Sequence, residues 1–245
     1  MKIAIISDIH SNLNALKEVL KDIEKEGISS IFNLGDTVGY AAQPNECLDL
    51  VKEKCSLCIR GNHDAAVCDY MPYEFFNPFA IKAIDYTKKT ISNVNMQYLS
   101  KLDLVQKTDD LVFVHSSPVF PDNWTYITNE DAAEMVFMTM SMTTSKIVFI
   151  GHSHIPVIFK QKGGKVFEFT KPDYMELEED EKAIVNVGSV GQPRDLDPRA
   201  CYVIFDPDKK SVQYKRIEYD IDAAFDLIIS NGLPPILAER LKRGK

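Results

Sequence analysis

The sequence predicts an α/β fold, on three observations. Short apolar runs alternate with helix-patterned segments through the first half of the 245 residues. Five of those runs end directly in polar clusters carrying Asp, Asn, His or Gly. After Gly151 the texture changes to closely spaced β segments separated by turns. The alternation predicts parallel strands with helices outside, and 45% hydrophobic content is enough to bury a full core. The chain therefore reads as a single domain over residues 1–245.

Element by element, Ile3 to Ile6 is a buried strand, and Asn12 to Glu26 a helix with Leu13, Leu16, Leu20 and Ile23 on one stripe and Gly27 as its stop. Ile31 and Phe32 form the second strand. Pro44 opens a helix with Cys47, Leu48 and Val51 on its apolar face, and Leu57 to Ile59 is the third strand. Residues 77–102 read as two helices covering a sheet face, the first capped by Asn77 ahead of Pro78 and the second starting near Ser92. Leu111 to Val114 and Ile147 to Ile150 are strands around a helix that starts at Asn129. Its Met135 to Met142 stretch, with four of the eight methionines, reads as core filler. The β segments Val157 to Lys160, Val166 to Phe169, Ile184 to Val187, Cys201 to Phe205 and Val212 to Tyr219 suggest a meander, with Glu176 to Glu181 as a solvated acidic loop. Two helices from near Asp220 and Pro234 close the chain, with Arg240, Lys242 and Arg243 in the last turn.

The formal charge of −8 argues against a long nucleic acid or an anionic membrane surface as partner. A small phosphorylated substrate remains open, because cations in a cleft would reverse the local sign. The N-terminal segment lacks signal-peptide order and no apolar run is long enough to span a bilayer, so a cytoplasmic location is expected. Oligomeric state is not legible. Cys47, Cys55, Cys58, Cys68 and Cys201 form no disulfide framework. Cys55-x-x-Cys58 reads as free thiols packed near a strand, with a redox pair or half a zinc site as the alternative.

All five histidines fall in the strand-end clusters: Asp8-Ile-His10, Gly35-Asp36, Gly61-Asn-His-Asp64, His115 and Gly151-His-Ser-His154. In open α/β sheets ligands bind at the carboxyl ends of the strands, so these clusters can converge on one point. Any one histidine would more often be a structural group; all five beside Asp, Asn or Gly point to a two-metal site. Imidazole nitrogen mixed with carboxylate and carboxamide oxygen suits Mn, Fe, Zn, Co or Ni, with Mn or Fe first, rather than Mg or Ca. The glycines let the backbone approach without a side chain in the way.

In this order the blocks D-x-H, G-D, G-N-H-D, a strand-end H and G-H-x-H resemble those of the calcineurin-like metallophosphoesterases, with residues 3–154 carrying the motifs. Gly35 to Tyr40 with Pro44-Asn45, and Ser116 to Tyr126, are similar to stretches in the bacterial and archaeal branch near diadenosine tetraphosphatases and small phosphodiesterases. The resemblance implies a four-layer α/β/β/α sandwich of two mixed sheets with helices on both outer faces. It also implies two divalent transition-metal ions. Asp8, His10, Asp36 and His154 would hold one, and Asp36, Asn62, His115 and His152 the other, with Asp36 bridging.

The implied activity is hydrolysis of a small phosphodiester, phosphomonoester or dinucleoside polyphosphate by a metal-bridging hydroxide. His63 would act as general acid or phosphate ligand and Asp64 would orient it, unless Asp64 simply caps the following helix. The Asn186 to Asp195 segment resembles a loop that returns to the site, where Arg194 would bind phosphate, with Arg199 a weaker candidate. Tyr40, Trp124 and Tyr126 are candidates for stacking on a base. A serine/threonine protein phosphatase and a non-catalytic scaffold of the same fold are the competing readings.

Overall fold

The computed structural model describes residues 1–108 and 110–245. Along the chain run β1 (Ile3–Ile6), α1 (Leu13–Lys25), β2 (Ser30–Asn33), α2 (Pro44–Lys54), β3 (Leu57–Cys58), α3 (Asn62–Val67), α4 (Pro78–Thr90) and α5 (Asn93–Leu99). Then follow β4 (Val105–Lys107), β5 (Leu111–Val114), α6 (Glu130–Ser141), β6 (Ile147–Ile150), β7 (Val157–Lys162) and β8 (Lys165–Thr170). The chain ends with β9 (Tyr174–Glu176), β10 (Lys182–Asn186), β11 (Ala200–Asp206), β12 (Ser211–Ile217), α7 (Ile221–Ser230) and α8 (Pro235–Arg243). The helices start where short polar side chains can accept orphan amides: Asn12 takes the Ala15 N–H, Asn77 the Phe79 and Ala80 N–H groups, and Asp220 the Ala223 N–H.

Two six-stranded sheets result, in the orders β3-β2-β1-β11-β12-β9 and β4-β5-β6-β10-β7-β8. Both are mixed: β1, β2 and β3 are parallel, as are β5, β6 and β10, and the remaining pairs are antiparallel. The alternation of a strand sorts its side chains between two layers. Ile5, Phe113, Phe149, Val185, Val203 and Phe205 meet between the sheets. Ala4, Ile6, Tyr202 and Ile204 face outward under α1 and α2, while Val112, Val114, Val148 and Ile150 lie under α6. This is the four-layer α/β/β/α sandwich.

Four expectations are corrected. The second half is not a meander, because β10 inserts between β6 and β7 while β11 crosses to lie beside β1 in the other sheet. The helices α4 and α5 cover helices rather than a sheet face: Ile84 and Leu99 pack on Leu48, Ala66 and Val67 of α2 and α3. Within α6 Met140 fills core, whereas Met135 and Met138, and Met142 just past its end, are exposed. The 176–181 run is not wholly solvated, since Leu177 is buried and buried Glu181 pairs with Lys160 at 2.7 Å.

Candidate metal centre

Beyond the carboxyl ends of the strands, the loops are stitched to one another by backbone hydrogen bonds. The Asp8 and His10 amides donate to the Gly35 and Asp36 carbonyls, Gly151 N–H donates to His115 O, and Val190 and Gly191 N–H groups donate to Ser7 and Asp8 O. Loops of both sheets are thereby fixed around one point. The geometry is tight enough to force unusual backbone. Asp8, His10, Asp36, His152 and His154 all adopt positive φ, between 49° and 66°, a region that L-residues other than Asn, Asp and His seldom occupy. A Cβ on Gly151 would stand 2.5 Å from Asp8 Oδ2, so that glycine is required by close approach rather than by the turn alone.

Four histidines are held in the same way. His10 Nδ1 faces the Val38 carbonyl at 3.1 Å, His115 Nδ1 the Leu34 carbonyl at 2.8 Å, His154 Nδ1 the Gln192 carbonyl at 2.6 Å and His152 Nε2 the Trp124 carbonyl at 2.9 Å. A carbonyl only accepts, so each of these nitrogens carries a proton; burial lowers His10, His152 and His154, whose opposite nitrogens therefore present lone pairs, while Asp36 and Asp8 keep a second proton on His115 that a cation would displace. Metal-ligating histidines are oriented in this way. His10 Nε2 and His154 Nε2 then stand 3.1 Å apart, beside Asp8 Oδ1, which is buried and has no hydrogen-bond partner among the described residues. Two facing lone pairs next to a bare carboxylate oxygen are a donor set that a cation satisfies and a neutral interior does not.

The donor atoms of Asp8, His10 and His154 lie within 4.8 Å of one another, as do those of Asp36, His115 and His152, and of His10, Asp36 and His63. Asn62 Oδ1 joins the second group at 3.2 Å from His115 Nε2. Asp36 Oδ2 sits between the groups, 3.7 Å from His10 Nε2 and 3.4 Å from His115 Nε2. Electrostatics agree with a cation-seeking centre. Burial pushes both carboxylates up, but His154 and His115 beside Asp8, and His115 and His63 beside Asp36, hold them below the ordinary range. His115 rises to about 9 because Asp36 and Asp8 outweigh its burial, whereas burial carries His63 down to about 4 and His152 to about 3.

His63 is tied down differently. Its ring lies 4.8 Å from His10, 4.6 Å from Tyr40 and 5.4 Å from Phe76, and its buried Nδ1 has no hydrogen-bond partner among the described residues. Asp64 does not orient that ring. Helix α3 starts at Asn62, which puts Asp64 in its first turn, and its carboxylate accepts from Gly61 N at 3.0 Å and Val38 N at 3.2 Å. Burial and then Asp36 raise its pKa to about 7. Nor is it the N-cap, which is Gly61.

The 186–195 loop returns to the centre as expected, with His154 held by the Gln192 carbonyl and the Arg194 guanidinium bonded to Gln192 Oε1 at 2.8 Å and lying 5.6 Å from the Tyr40 ring. Arg199 is instead paired with Asp197. Tyr40, Asn62, His63 and His152 open onto a cavity of about 290 Å³, whose other walls are Met71, Phe75, Phe76, Asn77, Trp124 and Tyr126. The Met71 to Asn77 wall escaped the sequence reading; its signal was the aromatic run soon after Gly61-Asn-His-Asp64. Trp124 contributes its carbonyl to His152 as well as its ring to the cavity.

Comparison with known proteins agrees with this geometry. Residues 1–210 match the profile of the calcineurin-like phosphoesterase superfamily domain. The chain is similar to the uncharacterized protein MJ0912 of Methanocaldococcus jannaschii, 42% identical over 247 residues that cover 99% of this chain and 98% of that protein. Among solved structures it is similar to a metallophosphoesterase from Sphaerobacter thermophilus, at 36% identity and a TM-score of 0.87, covering 100% of this chain and 99% of that one. The hypothetical protein PH1004 of Pyrococcus horikoshii shares the fold at 19% identity and a TM-score of 0.79, over 100% of this chain and 98% of that one.

Proposed function

Since this chain belongs to the calcineurin-like phosphoesterase superfamily, we propose that it is a two-metal hydrolase of small phosphodiesters, phosphomonoesters or dinucleoside polyphosphates. The observation that carries this reading is the pair of carbonyl-anchored histidines, His10 and His154, whose free nitrogens face each other at 3.1 Å beside the partnerless Asp8 Oδ1. Asp8, His10, Asp36 and His154 would hold one cation, and Asp36, Asn62, His115 and His152 would hold the other. Two divalent transition metals, Mn or Fe first among Mn, Fe, Zn, Co and Ni, supply an activated water and neutralise phosphoryl charge when bound there.

The protein's own groups do the remaining work. His63 lines the cavity next to the centre and donates to a phosphoryl oxygen or to the leaving oxygen. Asp64 clamps the Gly61 and Val38 amides and so sets where Asn62 and His63 begin, a positioning role rather than the expected ring contact. Arg194 reaches phosphate oxygens with the edge of its guanidinium that Gln192 leaves free, with the guanidinium over the Tyr40 ring at 5.6 Å. A cavity of about 290 Å³ is of the size that takes a small ester.

The test is to strip the protein with chelator and restore Mn, Fe, Co, Ni, Zn or Mg singly, following hydrolysis of bis-p-nitrophenyl phosphate and p-nitrophenyl phosphate. Turnover is expected to return with a transition metal and not with Mg alone. Full turnover in the chelated protein would overturn the reading.

A further inference from the structure

The cavity beside the centre is unusual in its lining. Tyr40, Phe75, Phe76, Trp124, Tyr126 and Met71 line it, and among the described residues no Lys, Arg, Asp or Glu does. Polar groups appear only at the inner end, where Asn62, His63 and His152 face it, and at Asn77. A cavity of about 290 Å³ lies at the lower limit for small-molecule pockets, enough for one ring system with its sugar and too small for a folded peptide loop.

Two rings have faces that the fold leaves unused. Tyr126 stacks on His152 at 4.0 Å and 17°, yet remains 51% exposed, and Phe75 at the rim is 91% exposed. Bare aromatic surface rimming a concave site marks a place where something apolar and flat is bound. The inner end adds direction: His63, rather than Arg194, borders this cavity, so an ester lying across the centre points its leaving group here.

We propose that this aromatic cavity binds the planar ring of the substrate's leaving group, a nucleobase being the ring system of matching size, and that it selects substrates by this ring. The inference rests on the phosphoesterase reading above. It assigns Phe75, Phe76 and Tyr126 to substrate recognition, and places any further phosphates of a substrate outside the cavity, where no cationic side chain would be needed to line it.

The chain holds a single tryptophan, Trp124, and that residue lines the cavity, so its emission reports occupancy without requiring turnover. The experiment titrates the metal-loaded protein with adenosine, AMP and ribose 5-phosphate, following Trp124 fluorescence and inhibition of bis-p-nitrophenyl phosphate hydrolysis. Adenosine and AMP are expected to change Trp124 emission saturably, and AMP to inhibit at a concentration at least about tenfold lower than ribose 5-phosphate, the weight of one stacked base. Phe75→Ala, which removes a side chain with no core packing, is expected to shrink that ratio several-fold. Equal inhibition by AMP and ribose 5-phosphate with silent Trp124 emission would overturn the inference, while continued metal-dependent turnover in the same assay would leave the phosphoesterase reading standing.

Discussion

Gly61→Ala adds one methyl group and should cost the protein its metal centre. Gly61 has φ −94° and ψ 178°, a conformation open to any residue, so backbone strain plays no part. The added Cβ would stand 2.1 Å from Asp36 Oδ1 and 2.4 Å from the Asp36 backbone nitrogen. Carbon and oxygen settle no closer than about 3.3 Å, so the Asp36 carboxylate or the Gly61 loop must retreat by roughly 1 Å. That same Oδ1 accepts the His63 amide at 2.8 Å, so the retreat also moves the loop bearing Asn62 and His63. Overpacking of this kind costs about 1–3 kcal/mol, or about 2–12 °C in Tm for a chain of this size. The functional loss is larger. Metal ligands tolerate displacement of about 0.2 Å, and a misplacement near 1 Å typically costs about 100-fold in turnover. Elemental analysis, bis-p-nitrophenyl phosphate kinetics and a thermal melt on the same preparation give the three readouts. A Gly61→Ala protein with two metals per chain and wild-type kcat/KM would refute the contact argument.

Three further outcomes are expected. His63→Ala keeps both metals but loses turnover, most severely for esters with poor leaving groups; kinetics identical to wild type across a leaving-group series would remove His63 from the chemistry. Arg194→Ala raises KM about tenfold or more, the value of one charge-assisted phosphate contact at ~1.5–3 kcal/mol, with a smaller change in kcat; an unchanged KM would leave the arginine a structural partner of Gln192 and Tyr40. Glu181 is the pH probe: burial pushes its pKa up, but Lys160 at 2.7 Å and the Glu178 amide outweigh that and lower it. Its stabilisation is then complete above the ordinary glutamate value of about 4.3 and is lost as pH falls through the lower folded value. Glu181→Gln should therefore lower Tm at neutral pH and flatten the acid limb of the Tm profile, and an unaltered acid limb would contradict the pairing.

What the sequence disclosed and what it withheld divide along physical lines. Asp8, His10, Asp36, Asn62, His115, His152 and His154 could be singled out because strand ends converge and because metal donors are chemically distinctive residue types. Their anchors could not: the carbonyls of Leu34, Val38, Trp124 and Gln192 orient four histidines, and a carbonyl carries no residue identity. The Asp64 role was misread because an Asp following a histidine looks like its partner, whereas the start of α3 at Asn62 turns the carboxylate back onto the Gly61 amide. Strand order was hidden for a related reason. The runs that form β10 and β11 are buried on both faces along almost their whole length, so their pattern names no neighbour, and only long-range pairing sends one beside β6 and the other beside β1. Met135 and Met138 looked like core because composition carries no direction, and α6 turns that face to solvent.

The most direct test of the account is anomalous diffraction from crystals of the manganese-loaded protein, recorded on either side of the manganese edge. Two peaks about 3.5–4 Å apart are expected, one among Asp8, His10 and His154 and the other among Asn62, His115 and His152, with Asp36 between them. A single peak away from these side chains, or no peak in a preparation that hydrolyses bis-p-nitrophenyl phosphate, would contradict it.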